Sequence, residues 1–337
     1  MGSAITYPLS ENGVRVRLWG TWLDDELVEA ARKGNHPKLG TPLPRGVSLF
    51  FAPQLAEALD GADFILVAVT SEGFLQVYER AAGLLEHALP VFGLTKGFVE
   101  REGRVLSVSE GALELFRERF DDEEFLWVSV GGPVKAVELS RRIPTATVFG
   151  YDDVRLRQLF DSFPTSYYRV FSVRDIRGVE LCSALKNVYA IGMGICDGLY
   201  EAEGTAYYHN FKAFLFNQAI GEMARLVEEF GGVRDTAFDL AGVGDLFVTS
   251  ASGRNGIFGR RIGSGGSPEK EYRSMFEAGE VAEGYHTLDL FRKFMGQRTE
   301  VGDEGFPLLN AVHRVVFGES SPREELFGLA ARCGEGR

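Results

Sequence analysis

"MGSAITYPLSENGVRVRLWG" (residues 1–20) is the stretch on which the reading of the fold turns. Val14, Val16 and Leu18 alternate with Arg15 and Arg17 ahead of Trp19, and Asn12-Gly13 supplies a turn before them, so residues 13–20 predict a β-strand. Residues 3–9, small and apolar, suit a helix laid closely on a sheet. A helix leading into a strand that ends in a polar loop is the second half of a βαβ unit. The expectation is that the first strand, and the first part of a glycine loop joining it to this helix, lie upstream of Met1 over roughly eight to ten residues.

Further along, short apolar strands are expected at 47–51, 64–69, 91–94, 126–130, 147–149 and 168–171, with helices at 24–33, 74–85 and 112–120 between them. Continuous apolar runs such as "FILVAV" suit a parallel sheet covered on both faces. From about Gly178 the pattern becomes long helices: Phe214, Ala219, Met223 and Leu226 recur at helical spacing. The fold class expected is α/β, with a Rossmann-type, doubly wound, mainly parallel sheet over 1–176, lacking its first strand, followed by an all-helical substrate and catalytic domain over 177–337.

A chain of 337 residues with 45% hydrophobic and 25% charged residues has the makings of two full cores. The net charge of -12 argues against nucleic acid as a partner. Cys182, Cys196 and Cys333 have no metal-type spacing and cannot all pair within the chain, which favours a reducing compartment. The histidines form no metal-ligand pattern either, and no metal is expected. With no apolar run of ~18 residues and no signal peptide in view, a cytoplasmic location without stable membrane insertion is the expectation.

A dinucleotide fold carries Gly-x-Gly-x-x-Gly between its first strand and first helix, where the third glycine lets helix and strand pack closely. Gly2, after Met1 and before Ser3-Ala4, sits where that third glycine belongs. The same residues also suit a plain initiation sequence, and the pattern downstream favours the glycine reading. Trp19-Gly20-Thr21 ends the strand at which a ribose hydroxyl would be read, and Asp24 or Asp25 could supply the acidic partner.

Five motifs then occur in order: "LTKG" (94–97), "GGPVKAVE" (131–138), "ELCSALKNVYAIGMGICDG" (180–198), "LAGVGDLFVTSASGRNGIFG" (240–259) and "AEGYHT" (282–287). Together they resemble the NAD(P)-dependent sn-glycerol-3-phosphate dehydrogenase family, over nearly the whole chain. The resemblance implies an oxidoreductase interconverting dihydroxyacetone phosphate and glycerol 3-phosphate with NAD or NADP, a homodimer, and a place in glycerophospholipid and carbohydrate metabolism. It also implies roles for particular residues. Lys186 would be the general acid/base, and Lys96 a second active-site lysine that polarises the carbonyl. Arg254 and Asn255 would take the substrate phosphate, with Arg254 also near the cofactor. Asn187 would set the substrate and Lys186. Met1, Gly2, Lys96, Gly132, Ala136 and Glu283 would border the dinucleotide.

The residue types suit those tasks. Ketone reduction needs a proton for the developing alkoxide, and a partly buried lysine is a suitable donor. Lys186 lies in the apolar run "LCSALKNVYAIG", where a charge is costly unless it has a partner or a task, although an isolated lysine can also snorkel to the surface. Asp245 and Thr249, expected on a turn after "LAGVG", could orient that lysine and bind substrate; Asp245 could equally cap a helix. Arg254, between Gly253 and Asn255-Gly256, suits phosphate capture by a guanidinium fork, or is a solvated loop arginine.

Departures from the family pattern fall at Val134, where serine is usual, at Gly253, at Asn217-Gln218 and at Thr21, where NADP-preferring members often carry a basic residue. They leave NAD against NADP open. The runner-up readings are a related two-domain hydroxyacid dehydrogenase and a non-catalytic sugar-phosphate sensor.

Overall fold

A computed structural model describes residues 1–205, 208–299 and 305–332. Cys333 falls outside them. The chain divides into two compact units, Met1–Val99 with Leu106–Glu180, and Glu100–Val105 with Leu181–Arg337.

In the first unit, β1 (Arg17–Trp19) pairs in parallel with β2 (Ser48–Phe50). A separate five-stranded sheet has the order β3 (Ile65–Val67), β4 (Val91–Gly93), β7 (Trp127–Gly131), β8 (Thr145–Tyr151), β9 (Tyr168–Val173). Its neighbours are parallel except β7 and β8, which run antiparallel with Val130 opposite Phe149. A hairpin of β5 (Phe98–Arg101) and β6 (Arg104–Ser107) is shared between the units, its Glu100–Val105 portion belonging to the second. The helices are α1 (Gly2–Glu11), α2 (Asp25–Arg32), α3 (Leu55–Leu59), α4 (Ser71–Leu84), α5 (Val108–Arg119), α6 (Ala136–Ser140) and α7 (Arg157–Phe160). This is the Rossmann-type, mainly parallel arrangement expected.

Aromatic side chains cover both faces of the sheet. On one, Phe92 packs on Phe163 and Phe149 with ring centroids 4.9 and 5.5 Å apart. On the other, the fully buried Trp127 lies edge-on to Phe74 and donates from Nε1 to Ser129 Oγ at 2.8 Å. Gly93 in the neighbouring strand makes room for that indole, since a Cβ there would collide with the ring.

The second unit is helical: α8 (Ile176–Ala202, whose first residues belong to the first unit), α9 (His209–Glu229), α10 (Asp245–Ser252), α11 (Arg254–Gly263), α12 (Pro268–Glu277), α13 (Glu283–Gly296), α14 (Pro307–Val316) and α15 (Pro322–Arg332). The 27 residues of α8 are long and apolar enough, by length and composition, to cross a membrane although charges interrupt the run, and its apolar stretch is wholly buried in the protein. It touches α11 backbone to backbone. A Cβ on Gly194 would strike the Gly256 carbonyl, one on Gly198 the Arg260 carbonyl, and one on Gly259 the Ile191 carbonyl. Glycine alone allows that approach. Glu222 on α9, fully buried, accepts from Leu308 N, Leu309 N and Tyr189 Oη at 2.7, 2.9 and 3.1 Å, so a carboxylate caps the start of α14. Cys182 and Cys196 are buried free thiols.

Candidate active site

Lys186 lies on α8 with 6% of its surface exposed, so the snorkelling alternative does not hold. Its Nζ is bonded to Asp245 Oδ1 and donates to Thr249 Oγ1 at 3.0 Å. A buried ammonium costs several kcal/mol unless paired, on the order of the whole stability of a domain, and Asp245 supplies that pairing within an apolar helix. Asp245 and Thr249 are not on a turn. Residues Leu240–Gly244 wind as a π-helical turn, and Asp245 is the first residue of α10, one turn ahead of Thr249, so both face α8 from one side. Gly244, not Asp245, is the N-cap.

One residue further along α8, Asn187 is buried, and its Oδ1 accepts from Asn255 Nδ2 at 2.9 Å. Asn255 Oδ1 in turn accepts from Gly284 N at 2.8 Å. This chain ties α8, α11 and α13 together and fixes both amide orientations. Asn187 Nδ2 has no hydrogen-bond partner, and a buried orphan donor costs about 1–3 kcal/mol. Arg254, at the start of α11, is exposed and donates from Nη2 to Glu283 Oε1 at 3.1 Å. The other donors of its fork remain available to an anion. Gly284 was missed in the sequence; a Cβ there would strike the Asn187 carbonyl, so its signal is only the glycine of "AEGYHT".

The remaining candidates belong to the first unit. Gly2 opens α1, and a Cβ on it would lie 3.3 Å from Ala68 Cβ, just past the end of β3. The first turn of α1 holds no acidic residue and its N-cap no side-chain bond, the conditions under which a helix start receives an anion. Gly132 follows β7 with φ +105°, and Thr147 Cα lies 3.2 Å from where its Cβ would be. Ala136 begins α6. Lys96 follows β4, half-buried, between Thr95, whose Oγ1 donates to Val69 O at 2.8 Å, and Gly97 at φ +126°. Thr21 takes up one of the expected acidic partners: Asp24 Oδ2 accepts from its N and Oγ1 at 3.0 and 2.6 Å. Asp25 is exposed in the first turn of α2. A cavity of about 1000 Å³ opens among Met1, Gly2, Gly20, Thr21, Ala68 and Val69 and continues between β1 and β3. Backbone that tolerates close approach, an uncapped helix start and an open cavity at the strands' carboxyl ends fit a dinucleotide.

A sheet of this kind in one unit and a buried lysine–carboxylate pair in the other are the parts of a nicotinamide-dependent oxidoreductase. Residues 1–156 match the family model for the N-terminus of NAD-dependent glycerol-3-phosphate dehydrogenase, and residues 175–326 the model for its C-terminus. The chain is 35% identical over 336 residues to the NADP(+)-dependent glycerol-3-phosphate dehydrogenase of Archaeoglobus fulgidus, covering 98% of this chain and 96% of that one. It is 33% identical over 336 residues to glycerol-3-phosphate dehydrogenase [NAD(P)+] of Carboxydothermus hydrogenoformans, covering 98% and 94%. The solved glycerol-3-phosphate dehydrogenase of Coxiella burnetii superposes with a TM-score of 0.82 at 27% identity, over 98% of this chain and 96% of that one. The chain belongs to the NAD-dependent glycerol-3-phosphate dehydrogenase family, and its cofactor is NAD or NADP.

Proposed function

We propose that this protein interconverts dihydroxyacetone phosphate and glycerol 3-phosphate, with Lys186 as general acid and base. The observation that carries the reading is the buried Lys186 held by Asp245 and Thr249, beside the orphan amide of Asn187. When bound, the reduced nicotinamide supplies the hydride that C2 receives. Lys186 gives its Nζ proton to the C2 oxygen as the carbonyl becomes an alcohol, and takes it back in the reverse direction. Asp245 and Thr249 hold Nζ in place throughout. Asn187 Nδ2 finds its missing acceptor in a substrate oxygen, and Arg254 with Asn255 receives the phosphate. Lys96 helps to polarise the carbonyl. Met1, Gly2, Lys96, Gly132, Ala136, Arg254 and Glu283 border the dinucleotide.

Oxidation of NADH and of NADPH with dihydroxyacetone phosphate tests this, on the parent chain and on Lys186→Ala. A drop in kcat of at least ~100-fold in the variant is expected; turnover near the parent's removes Lys186 from the role. The same reading carries a cytoplasmic location and a homodimer, the second of which sedimentation of the purified chain checks.

A further inference from the structure

Helix α8 carries a second orphan. Ser183 is 3% exposed, and its Oγ has no hydrogen-bond partner, as Asn187 Nδ2 has none. A serine inside a helix satisfies its hydroxyl in solvent or on the carbonyl four residues back, and this one does neither. Cys182, Ala184 and Leu185 beside it are fully buried and apolar. At 3.6 residues per turn, Ser183 lies one turn before Lys186 and Asn187. Around the axis it is about 60° from the first and about 40° from the second, between the two. The Cβ atoms of such neighbours are roughly 5–6 Å apart. The lysine and the amide assigned to the substrate thus flank a buried, unpaired hydroxyl, and all three residues belong to the second unit.

Helix α11 sets which way a substrate runs along α8. Asn255 bonds Asn187, and further on Gly259 lies against the Ile191 carbonyl and Gly194 against that of Gly256. The start of α11, where Arg254 and Asn255 take the phosphate, therefore stands at Asn187 and beyond it, on the carboxyl side of Lys186. With the phosphate there and the C2 oxygen at Lys186 Nζ, C1 and its hydroxyl extend toward the amino end of α8. We propose, resting on the function proposed above, that Ser183 is a substrate-binding residue that reads the C1 hydroxyl of dihydroxyacetone phosphate. Both hydroxyls donate and accept, so the pair is satisfied in either sense, with no proton transferred and no charge buried. A site that bonds a substrate hydroxyl rejects the analogue without it, because its own buried group is then left unpaired. Ser183 accordingly selects a hydroxymethyl ketone over a methyl ketone, a choice that neither Lys186 nor the phosphate contacts make.

A cycle over enzyme and substrate tests this. Acetol phosphate carries a hydrogen where dihydroxyacetone phosphate carries the C1 hydroxyl, and kcat/KM for both is measured in the parent and in Ser183→Ala. The parent prefers dihydroxyacetone phosphate, and the variant loses about 5- to 150-fold of that preference, the factor that one unpaired buried group costs. Acetol phosphate itself is reduced by the variant at least as well as by the parent. The unliganded variant melts no lower than the parent, having lost no bond, so the changed preference is not a folding defect. A fall in kcat/KM by the same factor for both substrates overturns the proposal, since a merely structural serine affects them alike. So does a lower melting temperature with the preference unchanged, which assigns Oγ to the packing of α8. A parent that turns over neither substrate overturns the reading of the reaction, and this inference with it; a parent active on both, with an unchanged ratio in the variant, overturns this inference alone.

Discussion

Asp245→Asn strands a charge. The side chains of Lys186 and Asp245 are 8% and 3% exposed, so the variant leaves an ammonium in the interior with Thr249 Oγ1 still 3.0 Å away but no charged partner in Asp245. Removing one member of a buried pair costs about 3–5 kcal/mol, whereas replacing both by uncharged groups of similar size is close to neutral. Lys186→Met carries the same penalty from the other side. The double variant Lys186→Met/Asp245→Asn strands neither charge, and its expected loss is about 2 kcal/mol or less, against roughly 6–10 kcal/mol if the single losses added. Urea unfolding of the four proteins at neutral pH measures this, with slopes compared so that a change in the unfolded state is not mistaken for stability. A double variant that loses the sum of the two singles to within about 0.5 kcal/mol refutes the electrostatic account of the site.

Arg254→Ala removes a charge-assisted contact worth about 1.5–3 kcal/mol, so KM for dihydroxyacetone phosphate rises roughly 10- to 150-fold with kcat little changed; steady-state kinetics reads both, and an unchanged KM counts against phosphate capture. Gly194→Ala drives a methyl into the Gly256 carbonyl and lowers the melting temperature, while Gly221→Ala, with only the end of Arg225 near at 4.0 Å, raises it by replacing a helical glycine. Calorimetry of the two shows opposite signs, or the close contact is wrong. Burial raises the Glu180 carboxyl above its ordinary 4.5, against Ser109 N and Oγ, which donate to it at 3.0 and 2.6 Å. A raised value means stability present in full below the unfolded pKa and lost as pH rises through the folded one. Glu180→Gln therefore flattens the fall in stability above pH ~4.5, and melting curves across that range with an unaltered slope refute it.

Periodicity made most of the architecture legible. Helix α8 announced itself by an apolar run around Lys186, and the parallel strands by short apolar blocks, because burial on all sides leaves its mark on composition. Where glycine is dense, the sequence misled. The residues after "LAGVG" read as a turn, yet Asp239 Oδ1 accepts from Leu240 N at 2.7 Å, Leu240–Gly244 wind as a π-helical turn and α10 starts at Asp245, so the backbone stays wound. The hairpin β5–β6 escaped because its turn places Glu102 at φ 52° ahead of Gly103 at φ 74°, a left-handed pair that asparagine or aspartate would have signalled. β1 begins only at Arg17, where its register with β2 starts opposite Ser48, so the alternation in Val14 and Val16 overstates the strand by a few residues. At the site, Lys186, Asp245 and Arg254 are named through the motifs that resemble the family, with side-chain chemistry that suits the tasks. The amide chain Asn187–Asn255–Gly284 joins three helices far apart in sequence, and no local pattern encodes it.

The glycine seam between α8 and α11 makes the second unit a gauge of molecular length. Lys186 and Asn187 stand on one side of it and Arg254 and Asn255 on the other, and their separation is set where main chain meets main chain, with no rotamer able to relax it. A side-chain interface could yield to a substrate one carbon longer; this one cannot lengthen without parting the helices. Selection for a three-carbon phosphate over its homologues would then be written in four glycines of the seam, Gly194, Gly198, Gly259 and Gly263, as much as in the side chains on either side of it.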